Sequence, residues 1–151
     1  MNKNVRILIV DDDENIRKTM KAILEDEGYI VDWAANGKEA IKKTNEKTYN
    51  LALLDIRLPD MEGVDLLKLL KDNVPRTRKI MVTGYPSMQS AINALNKSAD
   101  AYLVKPVDVE KLLNTVKEQL QLQEDEKNFS EQKVAEFIET RFHEISSNPK
   151  Q

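Results

Sequence analysis

The sequence predicts an α/β fold: a doubly wound parallel sheet of five strands in the order 2-1-3-4-5, with five helices and an extra C-terminal helix. Three observations carry it. Five short apolar runs alternate with stretches whose apolar residues recur at helical spacing, the pattern of strands joined by crossover helices. The run Leu51-Ala52-Leu53-Leu54 is apolar at every position, as a strand buried on both faces must be. Five strands also fit the 2-1-3-4-5 order better than the six-stranded dinucleotide-binding one.

Residues 5–10 form the first apolar run, interrupted by Arg6 alone and ending in Asp11-Asp12-Asp13. A helix follows at once. Ile16, Met20, Ile23 and Leu24 share one face, Glu14 stands in the first turn, and Gly28 is the stop. Residues 29–34, rich in β-branched and aromatic side chains, read as the second strand. Asn36-Gly37 is a turn, and 38–47 a short polar helix with Ala40 and Ile41 inward. The third strand runs into Asp55. Its loop, Ile56 through Gly63, is punctuated by Pro59 and leads to a helix with Val64, Leu67 and Leu70 inward.

Pro75 breaks the next connection. Residues 79–82 are the fourth strand, ending at Thr83-Gly84, and 86–96 a helix with Met88, Ala91, Ile92 and Leu95 on one side. Residues 101–104 are the fifth strand, ending at Lys105-Pro106. Asp108 caps a helix whose inner stripe is Val109, Leu112, Leu113, Val116 and Leu120. The composition then turns polar over 119–128, and Phe129-Ser130 looks like a new helix start with a stripe at Val134, Phe137, Ile138, Phe142 and Ile145. The expected division is therefore a domain over 1–122, then a linker and amphipathic helix over 123–151 with a disordered tail.

The bulk composition bounds the function. The 151 residues are 40% hydrophobic and 32% charged, enough for one sizeable core. A net charge of −3 offers no basic field for nucleic acid or an anionic membrane. The absence of cysteine excludes disulfides and thiolate metal sites. No apolar run is long enough to span a bilayer, and no signal-like core follows Met1. The expectation is a soluble cytoplasmic protein.

In the 2-1-3-4-5 order the first and third strands are neighbours, and ligands bind beyond their carboxyl ends. That brings Asp11 and Asp12 beside Asp55. Crowded carboxylates repel unless a cation sits among them. Oxygen donors without His or Cys favour Mg²⁺, or Mn²⁺, over zinc. Thr83 and Lys105, at the ends of the fourth and fifth strands, add a hydroxyl and an ammonium to the same rim. The set is a cradle for a tetrahedral anion. With no glycine-rich phosphate loop to hold a nucleotide, that anion is one to be transferred. Asp13 reads as a helix cap rather than a ligand.

Val10-Asp11-Asp12, the run Leu54 through Gly63, Val82-Thr83-Gly84-Tyr85 and Tyr102-Leu103-Val104-Lys105-Pro106 resemble, in order, the motifs of two-component response-regulator receiver domains. The resemblance covers residues 5 to about 122, with Ser98 and Val107 where the family often has Gly and Phe. It implies a flavodoxin-like fold and a signalling switch rather than an enzyme on other molecules. Asp55 is the implied phosphoacceptor, taking its phosphoryl group from a sensor histidine kinase or phosphotransfer protein. Asp12, Asp55 and the main-chain carbonyl of Arg57 are the implied Mg²⁺ ligands, with Asp11 acting through a water. Lys105 and Thr83 assist the chemistry, Thr83 and Tyr102 form the switch, and Arg57 and Tyr85 tune the lifetime of the acyl phosphate.

A stand-alone receiver acting on a downstream protein is the expectation, with a fragment of a longer transcriptional regulator as its nearest rival. A homodimer would form through the face of the fourth helix, fifth strand and fifth helix, or through the C-terminal helix. From other classes, a small metal-dependent phosphohydrolase lacks a substrate-recognition insertion, and a flavin carrier lacks a phosphate loop. His143-Glu144 reads as a solvated pair.

Overall fold

The computed structural model describes residues 4–71, 73, 75–84 and 99–146. Its strands are β1 (Arg6–Val10), β2 (Ile30–Ala34), β3 (Leu51–Asp55), β4 (Arg78–Thr83) and β5 (Ala101–Val104). They form one parallel sheet in the order β2-β1-β3-β4-β5, as the alternation of runs predicted. The helices described are α1 (Glu14–Asp26), α2 (Gly37–Glu46), α3 (Gly63–Leu69) and α4 (Val109–Ser146). The helix predicted over 86–96 lies outside the described residues, as do Tyr85 and Ser98.

Alternation along the strands divides the core into two layers. Ile7, Ile9, Leu51, Leu53, Ile80, Val82 and Leu103 face α1 and α4, meeting Met20, Leu24, Leu112 and Val116. Leu8, Val10, Ala52, Leu54 and Met81 face the other way, onto Ala40, Leu66, Leu67 and Leu70. Every residue of β3 is buried, so its position at the sheet centre is the physical reason for its unbroken apolar run.

Local chemistry sets the helix ends. Asp13 accepts hydrogen bonds from the N–H groups of Asn15 and Ile16 and so caps α1. Gly28, at φ 94, takes the left-handed turn after α1 that other residues resist. Asn36 and Gly37 are the cap and first residue of α2 rather than a free turn. Asn36 accepts from the Glu39 N–H, and Glu39 accepts from the Ala35 N–H in return. In α3 the buried positions are Leu66 and Leu67, whereas Val64 is only partly covered.

Two departures concern α4. Val109 is half exposed and lies off the buried stripe. The helix also runs through 119–128, where the polar composition predicted a linker, so the C-terminal helix is a continuation of this one. Polar side chains carry the interface there. Gln123 donates to the carbonyls of Asn50 and Arg76 at 2.8 Å, and Arg78 donates to Gln119 at 3.0 Å and to Glu126 at 3.1 Å.

Candidate phosphoryl-transfer site

The carboxyl ends of β1, β3 and β5 converge. Pairing of β1 with β3 puts Val10 beside Leu54, so the residues that follow, Asp11 and Asp55, emerge at the same edge. Carboxylate oxygens of Asp11, Asp12 and Asp55 lie within 4.8 Å of one another. Lys105, directly after β5, reaches over the edge with Nζ 2.8 Å from Asp11 Oδ2 and 3.3 Å from Asp55 Oδ2. Asp11 and Asp55 are buried and Asp12 is exposed, so the cluster opens outward through Asp12. These groups line a cleft of about 480 Å³ together with Arg57, Leu58 and Pro59.

The two buried acids differ in how fully they are engaged. Asp11 accepts from the Asp13 N–H at 2.9 Å on Oδ1 and from Lys105 on Oδ2. Its backbone is pinned as well: the N–H donates to the Ala34 carbonyl, and the Arg17 guanidinium donates to its carbonyl oxygen at 2.8 Å. Among the described residues, Asp55 accepts a long bond from the Arg57 N–H, 3.4 Å, and the longer of the two Lys105 contacts. Burial, and then the charge of Asp11, push the Asp55 carboxyl above the usual carboxylate range, against the smaller pull of Lys105. Burial alone would lower Lys105, but its hydrogen bond to Asp11 and the charges of both acids outweigh that and raise it. Among the described residues, Lys105 is the one ammonium bonded to this group of two buried carboxylates and an exposed third. This donor set, all carboxylate oxygen, suits a hard divalent cation.

The loop after β3 is held by its own contacts. Leu58 N–H bonds the Met61 carbonyl, Arg57 and Glu62 form an antiparallel bridge, and the Gly63 N–H returns to the Ile56 carbonyl at 2.8 Å. A side chain at Gly63 would overlap the Asp55 carbonyl oxygen, so only glycine lets the loop close this tightly over the strand end. Asp60 fastens the loop from outside, accepting from the Gly37 and Lys38 N–H groups at 2.9 and 3.0 Å. The Gly37 N–H, and then the Lys38 N–H, hold its carboxyl below the usual carboxylate range, as the N-terminus of a helix should.

Of the residues singled out from the sequence, Asp11, Asp12, Asp55 and Lys105 come together, and Arg57 lines the cleft. Thr83 is buried, one residue past the Asp55–Val82 pair, and its partner in β5 is Val104. Tyr102 lies two residues before Val104 on the same face of the sheet, partly covered by the core. Asp13 is a cap. Sequence reasoning missed Asp60, whose acceptor role was signalled only weakly by its place in a Pro-Asp turn. It also missed Arg17, which bridges the Asp11 carbonyl and the face of Trp33, 4.3 Å from the ring centroid. No motif links two residues on different elements.

Among the described residues, no helix is long and apolar enough to cross a membrane. A family model described as the response regulator receiver domain matches residues 7–117. The transcriptional regulatory protein ZraR of Klebsiella oxytoca is 36% identical over 147 residues, 97% of this chain and 32% of that protein. The regulatory protein AtoC of Escherichia coli is 36% identical over 118 residues, 78% of this chain and 26% of that protein. The chain thus spans about a third or less of these curated relatives. Among solved structures, a CheY-like receiver domain protein of Methanospirillum hungatei is 50% identical, covering 81% of this chain and 98% of that one with a TM-score of 0.73. The response regulator TrrA of Thermotoga maritima, solved in complex with Mg²⁺-BeF, is 36% identical over 76% of this chain and 98% of its own, with a TM-score of 0.68. By the family match and by fold, the chain belongs to the response regulator receiver domains of two-component signalling.

Proposed function

We propose that Asp55 is the phosphoacceptor of a signalling switch, charged by a histidine kinase or phosphotransfer protein in a Mg²⁺-dependent reaction and discharged by water in the same site. The observation that carries this reading is the asymmetry of the two buried acids. Asp11 is bonded at 2.9 Å on one carboxylate oxygen and 2.8 Å on the other, while both oxygens of Asp55, at the cleft, carry only long bonds among the described residues, 3.4 Å from the Arg57 N–H and 3.3 Å from Lys105. Asp12, Asp55 and the Arg57 carbonyl would hold the cation, with Asp11 acting through a water, as its engaged oxygens favour. When bound, Mg²⁺ supplies charge neutralisation on the transferring group.

The residues of the chain do the rest. An Asp55 oxygen attacks phosphorus in line, the bond from phosphorus to the donor histidine nitrogen breaks, and the imidazole takes a proton from solvent. Lys105, already at the rim, turns its ammonium to an equatorial phosphoryl oxygen, so that its positive charge faces the charge that develops. The groove beside the cleft, about 550 Å³ and lined by Ile16, Met20, Ile23, Pro106, Val107 and Leu112, gives a kinase helix an apolar seat next to the site. After transfer, the Thr83 hydroxyl bonds a phosphoryl oxygen, and Tyr102, its diagonal neighbour on the sheet, turns inward to fill the space. The downstream protein reads that change on the β5 face. Arg57, at the cleft, and Tyr85 set the lifetime by controlling the approach of water; an unchanged dephosphorylation rate in both Arg57→Ala and Tyr85→Ala would refute this.

Intact-mass analysis after incubation with acetyl phosphate tests the reading. One phosphoryl group is expected with Mg²⁺, none with excess chelator, and none in Asp55→Asn, while Asp13→Asn labels like the wild type. Equal labelling of Asp55→Asn and wild type overturns it.

A further inference from the structure

Arg17 follows Asp11, Asp12 and Asp13 closely in the chain, yet among the described residues it pairs with no carboxylate. Its Nη1 donates instead to the main-chain carbonyl of Asp11 at 2.8 Å. Its guanidinium lies over the ring of Trp33, 4.3 Å from the centroid. Trp33 is the one tryptophan of the sequence, and it stands 41% exposed on β2, the edge strand of the sheet. So open an indole adds little to the core. What it offers is a flat, electron-rich face that keeps the guanidinium in one orientation.

The consequence is felt in the backbone. The Asp11 N–H donates to the Ala34 carbonyl at 3.1 Å, and the Asp11 carbonyl accepts from Arg17, braced on Trp33. Both peptide units that flank the Asp11 Cα are therefore tied to Trp33 and Ala34, the end of β2. The second of these units leads into Asp12. The side chains of Asp11 and Asp55 are each held by hydrogen bonds of their own. Asp12 is exposed, and among the described residues its carboxylate accepts no hydrogen bond, so its direction comes from the backbone that carries it.

We propose that Arg17, braced on Trp33, is a positioning residue for the divalent cation: by fixing the Asp11–Asp12 peptide it holds the Asp12 carboxylate where it can share one ion with Asp55. This rests on the reading of the cleft as a Mg²⁺ site. Charge alone argues the other way. A guanidinium close to the acids repels an incoming cation, so its loss would tighten Mg²⁺ binding. A role confined to stability would shift Tm and leave the affinity of the folded chain where it was. Only positioning makes the loss of Arg17 weaken the ion, and the sign of the change separates the three.

Mg²⁺ titrated into the whole chain without phosphodonor, followed by amide NMR shifts with Tm recorded on the same samples, gives the test. Arg17→Ala is expected to weaken binding about 10-fold, as removal of a group that orients a metal ligand does. Trp33→Leu, which keeps an apolar side chain but loses the aromatic face, should weaken it about 3-fold, and it carries the test if Arg17→Ala does not fold. Arg17→Lys should fall between wild type and Arg17→Ala, since an ammonium can bond the carbonyl without the planar fork. Because Arg17 acts through Asp12, adding Arg17→Ala to Asp12→Asn should cost less than about 2-fold more. Mg²⁺ binding as tight as wild type, or tighter, in folded Arg17→Ala or Trp33→Leu overturns the proposal. So does a loss from Arg17→Ala that is equal with and without Asp12. Each of these results leaves the Mg²⁺ site itself standing, whereas a wild-type chain that binds no Mg²⁺ overturns both.

Discussion

The two ends of the sheet hold a carboxylate at nearly the same depth and use it in opposite ways. At the amino end, the Asp100 side chain is 11% exposed, and at the carboxyl end the Asp55 side chain is 9% exposed. Asp100 accepts two hydrogen bonds from Arg76, at 2.7 and 2.9 Å, and one from the Lys79 N–H at 2.8 Å, with Arg78 behind it at 3.7 Å. Burial alone would raise its pKa, but these donors and charges outweigh it and hold the carboxyl below the usual range. Asp55 has the same burial, a like charge beside it and longer bonds, and it is raised. One end of the sheet is saturated and fixes α4; the other is left short of positive charge, which is what the proposed cation and phosphoryl group would supply.

Substitutions at the two ends of the sheet should act differently. The largest effect is expected from Lys105→Ala, which removes the only ammonium bonded to Asp55 among the described residues. Labelling by acetyl phosphate should slow by about 10²-fold or more, measured as a rate at saturating Mg²⁺. Asp100→Ala leaves Arg76 and Arg78 without their shared anion and should cost about 3 kcal/mol in denaturant unfolding, with labelling per folded molecule unchanged. Asp60→Ala removes the carboxylate that bonds both leading N–H groups of α2 and should lower the denaturation midpoint slightly in the same assay, with the slope unchanged. Asp55→Asn has the opposite sign: it relieves a buried charge and should raise Tm by about 3 °C.

The pH dependence of stability separates the ends by sign. The Asp100 contribution is present above the ordinary Asp pKa and is lost as the pH falls through its lower folded value. Asp55 does the reverse. Its ionisation costs more in the fold than in the unfolded chain, so its penalty is present above its raised folded value and fades as the pH falls toward the ordinary one. Acid titration of Asp55→Asn should lack that second component and keep the first.

Much of the reactive end was legible in the sequence because strand ends announce themselves. A fully apolar run stopping at Asp55, a second stopping at Asp11, and Lys105 before a proline need only the strand order to bring them together. The amino end was not legible. Arg76, Arg78, Asp100, Gln119 and Gln123 stand in three separate stretches, and their contacts depend on where α4 crosses the sheet. The same network explains why α4 is continuous through the polar stretch 119–128. A polar stretch reads as a linker when burial is equated with apolar residues, yet Gln119 and Gln123 are each 5% exposed because buried carbonyls and an arginine need partners. The grip of Asp60 on α2 escaped for a related reason, since an acid in a turn gives no sign of which distant N–H groups it will meet.

Asp55 is held short of compensation by the described residues, while Asp100 is fully compensated. Carboxyl-carbon NMR titration of the two residues in one sample, without and then with Mg²⁺, measures it directly. Asp55 is expected to titrate above the ordinary Asp value and to fall on addition of Mg²⁺, with Asp100 below that value and unmoved by the ion. An Asp55 that titrates as low as Asp100, or that ignores Mg²⁺, would contradict it.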